Sequence, residues 1–252
     1  MDNNQFSIPV FIDDKGASSS LERISLAIDK DNFHYNEQWL QELLFTNPNI
    51  LPINEIDSSY ENPVPICMEL NTPAGPLDAL FVTSQGKLVL LETKLWRNPE
   101  ARRIVIGQIL DYAKEINRWD YEELQKQVSR RIGKSGNVIY ELVKEKYPDR
   151  DESSFVDEVS RSLRLGRFML LIVGDGIREE ARAIAKFLGN TGQLQFTLGL
   201  VETGIYRLED KGIFVQPRIL AKTVIIDRTI IELASELRIR DSTGPPCSSP
   251  QR

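Results

Sequence analysis

The 252 residues carry 31 Lys and Arg against 37 Asp and Glu, a net charge of −6 with a single histidine, His34. That balance argues against a broad sequence-independent clamp on DNA, which needs a basic surface, although a local basic groove stays compatible with it. One histidine excludes a histidine triad or a zinc cluster, and no run of about 18 apolar residues offers a membrane span. The two cysteines, Cys67 and Cys247, lie far apart, which predicts no disulfide and a reducing, cytoplasmic setting.

Residues 1–34 read as a partly disordered lead-in. They start polar and acidic, unlike a signal peptide, pass through Gly16-Ala17-Ser18-Ser19-Ser20, and allow at most a short strand or helical turn over 21–28. Asn36 is the expected N-cap of a helix through Phe45, which Asn47-Pro48 stops. Leu40, Leu43 and Leu44 form its apolar face, and Glu42 falls between Trp39 and Phe45 on the helical wheel. Pro63 and Pro65 lead into a strand over 66–70, where Glu69 is a rival carboxylate. Residues 71–76 form a turn by composition.

The stretch 76–94 has two apolar runs around Ser84-Gln85-Gly86. It predicts a hairpin with a three-residue loop and Gly86 in the left-handed position. Thr83 then faces Lys87, and pairing outward sets Asp78 opposite Glu92. Opposed residues share one face of a sheet, and Lys94, two residues on, points the same way. Two acids held together repel each other, and a divalent cation with oxygen ligands removes the conflict. A salt-bridged trio on a solvated face is the alternative, but the apolar run 88–91 predicts a buried strand that ends in these charges.

Asn98 and Pro99 start a helix to about 117, with Ile106, Ile109, Leu110, Ala113 and Ile116 on its buried side. Gln108 and Tyr112 stack one turn apart at the border of that stripe. Residues 118–164 suggest one or two charged helices with clusters at Lys126, Arg130, Arg131 and Lys134 and at Arg161, Arg164 and Arg167. Trp119, Tyr140 and Tyr147 are expected to pack. Residues 168–173 are a buried strand of the parallel kind, followed by a plain Gly174-Asp175-Gly176 turn and a helix over 177–188. Runs 195–208 and 212–220 form a second hairpin. A strand end and helix over 223–240 precede a disordered tail at 241–252.

Asp78, thirteen residues, then Glu92-Thr93-Lys94 resembles the D…ExK signature of the PD-(D/E)XK nuclease superfamily, with the proline one place early in Pro76-Leu77-Asp78. Gly107-Gln108-Ile109-Leu110-Asp111-Tyr112-Ala113 resembles the Q-x-x-x-Y element of its RecB/NucS-like branch. The order helix, three strands, helix, strand is similar to the superfamily's αβββαβ core. The resemblance implies an α/β restriction-endonuclease-like fold in one domain, 35–240, with a central mixed sheet flanked by helices. A helical insertion at 118–165 and an extra C-terminal hairpin would be added to it.

The implied activity is metal-dependent endonucleolytic hydrolysis of phosphodiester bonds, with DNA the expected partner. Asp78 and Glu92, with the Thr93 carbonyl, would hold Mg²⁺ or Mn²⁺. Lys94 would activate the nucleophile or stabilise developing charge, and Gln108 and Tyr112 would position these parts. Glu42 matches by position a glutamate that the superfamily often carries on the helix before the first core strand. Arg97, Arg102 and Arg103, opening the next helix, are best placed for phosphates. Cutting both strands would usually need two such sites, which a homodimer could supply, although the sequence does not give the oligomeric state. A catalytically silent nucleic-acid-binding or scaffold protein on the same fold is the alternative, although all three D…ExK side chains are present. Hydrolysis of another phosphate ester is a third reading.

Overall fold

The computed structural model describes residues 8–24, 35–95, 101–175, 195–208 and 212–223, with residues 101–104 described through their backbone alone. In the lead-in, expected to be partly disordered, β1 (Val10–Ile12) and β2 (Ser18–Ser20) pair antiparallel, and β3 (Glu22–Arg23), within the stretch 21–28 where a short strand or turn was allowed, joins the main sheet. Helix α1 (Glu37–Thr46) starts at Asn36, whose side chain accepts from the Trp39 N–H at 2.8 Å. A short helix α2 (Ile53–Ile56) follows.

Strand β4 (Val64–Thr72) is longer than the sequence suggests, and β5 (Gly75–Val82) begins only two residues later, so the expected turn over 71–76 is mostly strand. Pro65 lies inside β4, at a register shift between Pro65 and Cys67. Proline is tolerated there because β4 is an edge strand of the described sheet. β6 (Leu88–Lys94) follows with the expected register, Ala79 opposite Leu91 and Val82 opposite Leu88. The turn between them closes through Thr83 N–H to the Lys87 carbonyl (2.9 Å), Gly86 N–H to the Thr83 carbonyl (3.0 Å) and Lys87 N–H to Thr83 Oγ1 (3.1 Å).

α3 (Ala101–Ile116) then leads to α4 (Tyr121–Ile132), α5 (Val138–Lys146) and α6 (Glu152–Leu165). One or two charged helices were expected here, and there are three. Their apolar residues recur at helical spacing among many charges: Tyr121, Leu124 and Val128; Ile139 and Val143; Phe155, Val159 and Leu163, all buried. Asp120 and Asp151 cap α4 and α6, and Gly133 and Gly166 end them in the left-handed conformation. Tyr140 and Tyr147 are tied by their hydroxyls to the Arg150 and Asn62 carbonyls, which agrees with packing rather than base stacking.

β7 (Phe168–Gly174) is buried throughout and lies parallel to β6. β8 (Thr197–Leu208) lies parallel to β7, and β9 (Gly212–Lys222) pairs antiparallel with β8. The strand order is β3-β8-β7-β6-β5-β4, with β9 beside β8. Alternate residues of β5 and β6 serve two cores. Leu80, Val82, Leu88 and Leu90 pack with α3 and the α4–α6 group. Ala79, Phe81, Val89 and Leu91 pack with α1 and α2. The result is a mixed sheet flanked by helices, with the αβββαβ order of a restriction-endonuclease-like fold. Among the described residues no helix is long and apolar enough to cross a membrane. The expected helices over 177–188 and 223–240, the tail and His34 lie outside the described residues.

Gly86 has φ +70, and a Cβ there would lie 2.6 Å from the Val159 nitrogen of α6. Both features forbid a side chain without local movement. Gly86→Ala should cost about 1–3 kcal/mol, read as a lower urea midpoint with an unchanged m-value.

Candidate active site

The antiparallel ladder of β5 and β6 runs from Val82–Leu88 to Ala79–Leu91. One step further along that register stand Asp78 and Glu92. There the Asp78 side chain takes over the strand's role: Oδ2 accepts from the Thr93 N–H and from Thr93 Oγ1, both at 2.6 Å. On its other edge β6 stays locked to β7, with Glu92, Thr93 and Lys94 beside Ile172, Val173 and Gly174. The acids are thus carried by backbone held from both sides.

Glu92 is 2% exposed, and its Oε2 is buried with no hydrogen-bond partner among the described residues. Burial pushes its carboxyl up to about 9; the Asp78 charge acts in the same direction, and Lys94 opposes it. Burial likewise lifts Asp78 to about 6, against the two Thr93 hydrogen bonds, with the Glu69 and Glu37 charges adding to the rise. For both acids burial in a poorly solvated setting is the largest cause, and for Glu92 the Asp78 charge adds to it.

Lys94 Nζ donates to Glu37 Oε1 at 3.0 Å, and the Leu95 N–H donates to Glu37 Oε2 at 3.0 Å. Burial works against the Lys94 charge, but the Glu37 hydrogen bond and the surrounding carboxylates outweigh it and raise the pKa, so the ammonium form is favoured. Gln41 lies one turn after Glu37. Its Nε2 donates to the Asp78 carbonyl at 2.5 Å and to Glu69 Oε1 at 2.9 Å. Glu69 adopts φ +52, left-handed backbone within a strand, between the Met68–Ala79 and Leu70–Leu77 pairs of the β4–β5 register, the step that faces Asp78.

Glu42 does not join this group. It is one residue beyond Gln41, roughly 100° round the helix, and is exposed, bound to Gln38 Nε2 at 3.0 Å. With Gln38, Gln41, Met68, Glu69 and Arg131 it lines a neighbouring cleft of about 300 Å³. The α1 glutamate beside the acids is Glu37. The signal for it was the i, i+4 pair Glu37 and Gln41 on the same side as Leu40 and Leu44.

On α3, Gln108 Nε2 donates to the Tyr112 hydroxyl at 2.6 Å. Tyr112 is 1% exposed. Burial raises its pKa, the Gln108 bond opposes, and the charges of Glu92, Asp78 and Glu69 add to the rise. The Tyr112 hydroxyl lies against the start of β5, 3.7 Å from where a Cβ on Gly75 would stand. Arg97 lies outside the described residues, and the Arg102 and Arg103 side chains are not described. Lys126, in one of the charge clusters, pairs with Glu123 at 3.0 Å.

Among the described residues no three carboxylate, thiol or imidazole side chains form a ready metal-ligand set. The residues present nonetheless fit a hard divalent cation. Asp78 and Glu92 stand at the same end of the β5–β6 ladder, and the Glu92 Oε2 has no hydrogen-bond partner among the described residues; Mg²⁺ is often held by one or two carboxylates plus substrate oxygens.

No protein-family model matches the chain, and no curated protein matches it. Among solved structures, one titled "Structure of EndoMS-dsDNA2 complex" is similar at 18% identity and a TM-score of 0.30. The alignment covers 62% of this chain and 41% of that one, so the chain spans less than half the length of that relative. A likeness this distant carries no assignment of activity.

Glu92 has a folded pKa raised from 4.5 to about 9. Such a group stabilises the fold fully below its unfolded pKa, and this contribution is lost as pH rises through the folded value. In chelator, the urea midpoint should fall as pH is raised from about 5 to about 9. Glu92→Gln should remove most of that slope.

Proposed function

We propose that this chain is a divalent-metal-dependent nuclease that hydrolyses phosphodiester bonds, with DNA the substrate implied by its D…ExK resemblance. The observation that carries the reading is the end of the β5–β6 hairpin. There Asp78 is oriented by Thr93, Glu92 has a buried oxygen without a hydrogen-bond partner among the described residues, and a lysine stands two residues further along β6.

Asp78, Glu92 and the Thr93 carbonyl would hold the cation. When bound, it supplies positive charge to the scissile phosphate and makes an attacking water more acidic. The protein's part is orientation and electrostatics. The Thr93 N–H and hydroxyl fix the direction of the Asp78 carboxylate, and the β6–β7 ladder fixes Glu92. Lys94, its ammonium bound to Glu37, would donate to a phosphoryl oxygen as negative charge develops. Gln108 donates to the Tyr112 oxygen, leaving the phenol O–H as a donor.

Incubation with Mn²⁺ and single-stranded, duplex, branched and RNA substrates should show cleavage that a chelator stops. Lys94→Ala and Asp78→Asn should each lower kcat by about 10²–10³ with little change in melting temperature. Wild-type protein that cuts none of these substrates, or a Lys94→Ala protein as fast as wild type, refutes the assignment. Nucleic-acid binding without any cutting would favour the catalytically silent alternative.

A further inference from the structure

Helix α1 is fastened to both strands of the acid site. Gln41 binds the Asp78 carbonyl on β5, and one turn earlier Glu37 binds the end of β6. The Glu37 carboxylate spans two successive residues there, taking the Lys94 ammonium on Oε1 and the Leu95 N–H on Oε2, each at 3.0 Å. The backbone bond fixes where the carboxylate sits. The side-chain bond then fixes where the ammonium points.

The β6–β7 ladder holds the Lys94 backbone beside Gly174, but it does not fix the end of the long side chain. A lysine head is a point charge on a flexible four-carbon chain. It has three donors; Glu37 takes one and leaves two for a substrate. An ordinary stabilising ion pair is the competing explanation. The Lys94 and Glu37 side chains are 29% and 39% exposed, and pairs that open to water contribute little to stability.

We infer that Glu37 is a positioning residue that holds the Lys94 ammonium over the reacting phosphate. This rests on the nuclease reading above. It assigns Glu37 a duty toward the lysine of the signature, and its carboxylate is already committed to Lys94 and Leu95.

The test compares wild type with Glu37→Ala, Glu37→Gln and Glu37→Asp in Mn²⁺-supported cleavage. It adds NMR of ¹⁵N-labelled lysine, with Lys94→Arg identifying the Lys94 ammonium signal. Glu37→Ala should lower kcat by about 10–100-fold, with KM within about twofold and the melting temperature nearly unchanged, and the protected ammonium signal should vanish. Glu37→Gln keeps one acceptor oxygen and Glu37→Asp keeps the charge on a shorter stem, so both should fall between wild type and Glu37→Ala. If Glu37→Ala proves unstable, Glu37→Gln carries the same comparison. An unchanged kcat, a loss confined to KM, or an unaltered Lys94 signal overturns the inference while the nuclease reading stands. A wild-type protein without cleavage overturns both, and that result appears before any variant is made.

Discussion

The arrangement depends on a carboxylate standing in for a strand. Where β5 and β6 part, the Thr93 N–H needs an acceptor, and Asp78 supplies it through the same oxygen that binds the Thr93 hydroxyl. A buried backbone donor left without a partner would be costly, so the geometry of Asp78 is fixed by a requirement of the sheet itself. The acid is held in place whether or not anything is bound beside it. Glu92, next along the partner strand, inherits that rigidity from β7 on its other side.

Around this point the protein accepts a local cost. The cores on both faces are apolar, yet Glu92 is buried with an oxygen that has no hydrogen-bond partner among the described residues, while Asp78, Glu69 and Glu37 add negative charge nearby. Burial without compensation is unfavourable unless a proton or a cation supplies it. The left-handed backbone of Glu69, tied to Gln41, is a second local strain at the same place. Strain and unmet polar groups that gather at one strand end are characteristic of a site built for something other than stability.

Most of this region was legible in the sequence because its determinants are local. Gly86 and Thr83 specify the turn, the turn specifies the register, and the register sets Asp78 against Glu92. Gln108 and Tyr112 were legible because four residues on a helix bring two side chains together without reference to anything else. The α1 glutamate was not. Choosing Glu37 over Glu42 depends on which turn of the helix meets the end of β6, and the aromatic residues flanking Glu42 on the wheel point elsewhere. The left-handed Glu69 was hidden for the same reason, since its partners come from α1 and β5. The third helix between α3 and β7 was masked by charge, because its buried stripe of Phe155, Val159 and Leu163 sits in a mostly polar segment. The pairing of β3 with β8 joins residues far apart in the chain, which composition does not reveal.

Pro65 brings a consequence for self-association. β4 forms a border of the described sheet, and an uninterrupted border would offer its backbone to a strand from another molecule. Proline has no N–H to offer, the register shift beside it breaks the regular spacing, and Arg131 Nε occupies the Met68 carbonyl at 2.7 Å. With its donors and acceptors removed or taken at those points, this border is a poor template for continuous intermolecular strand addition. Any pairing of two copies would be directed toward helices or the opposite side of the sheet.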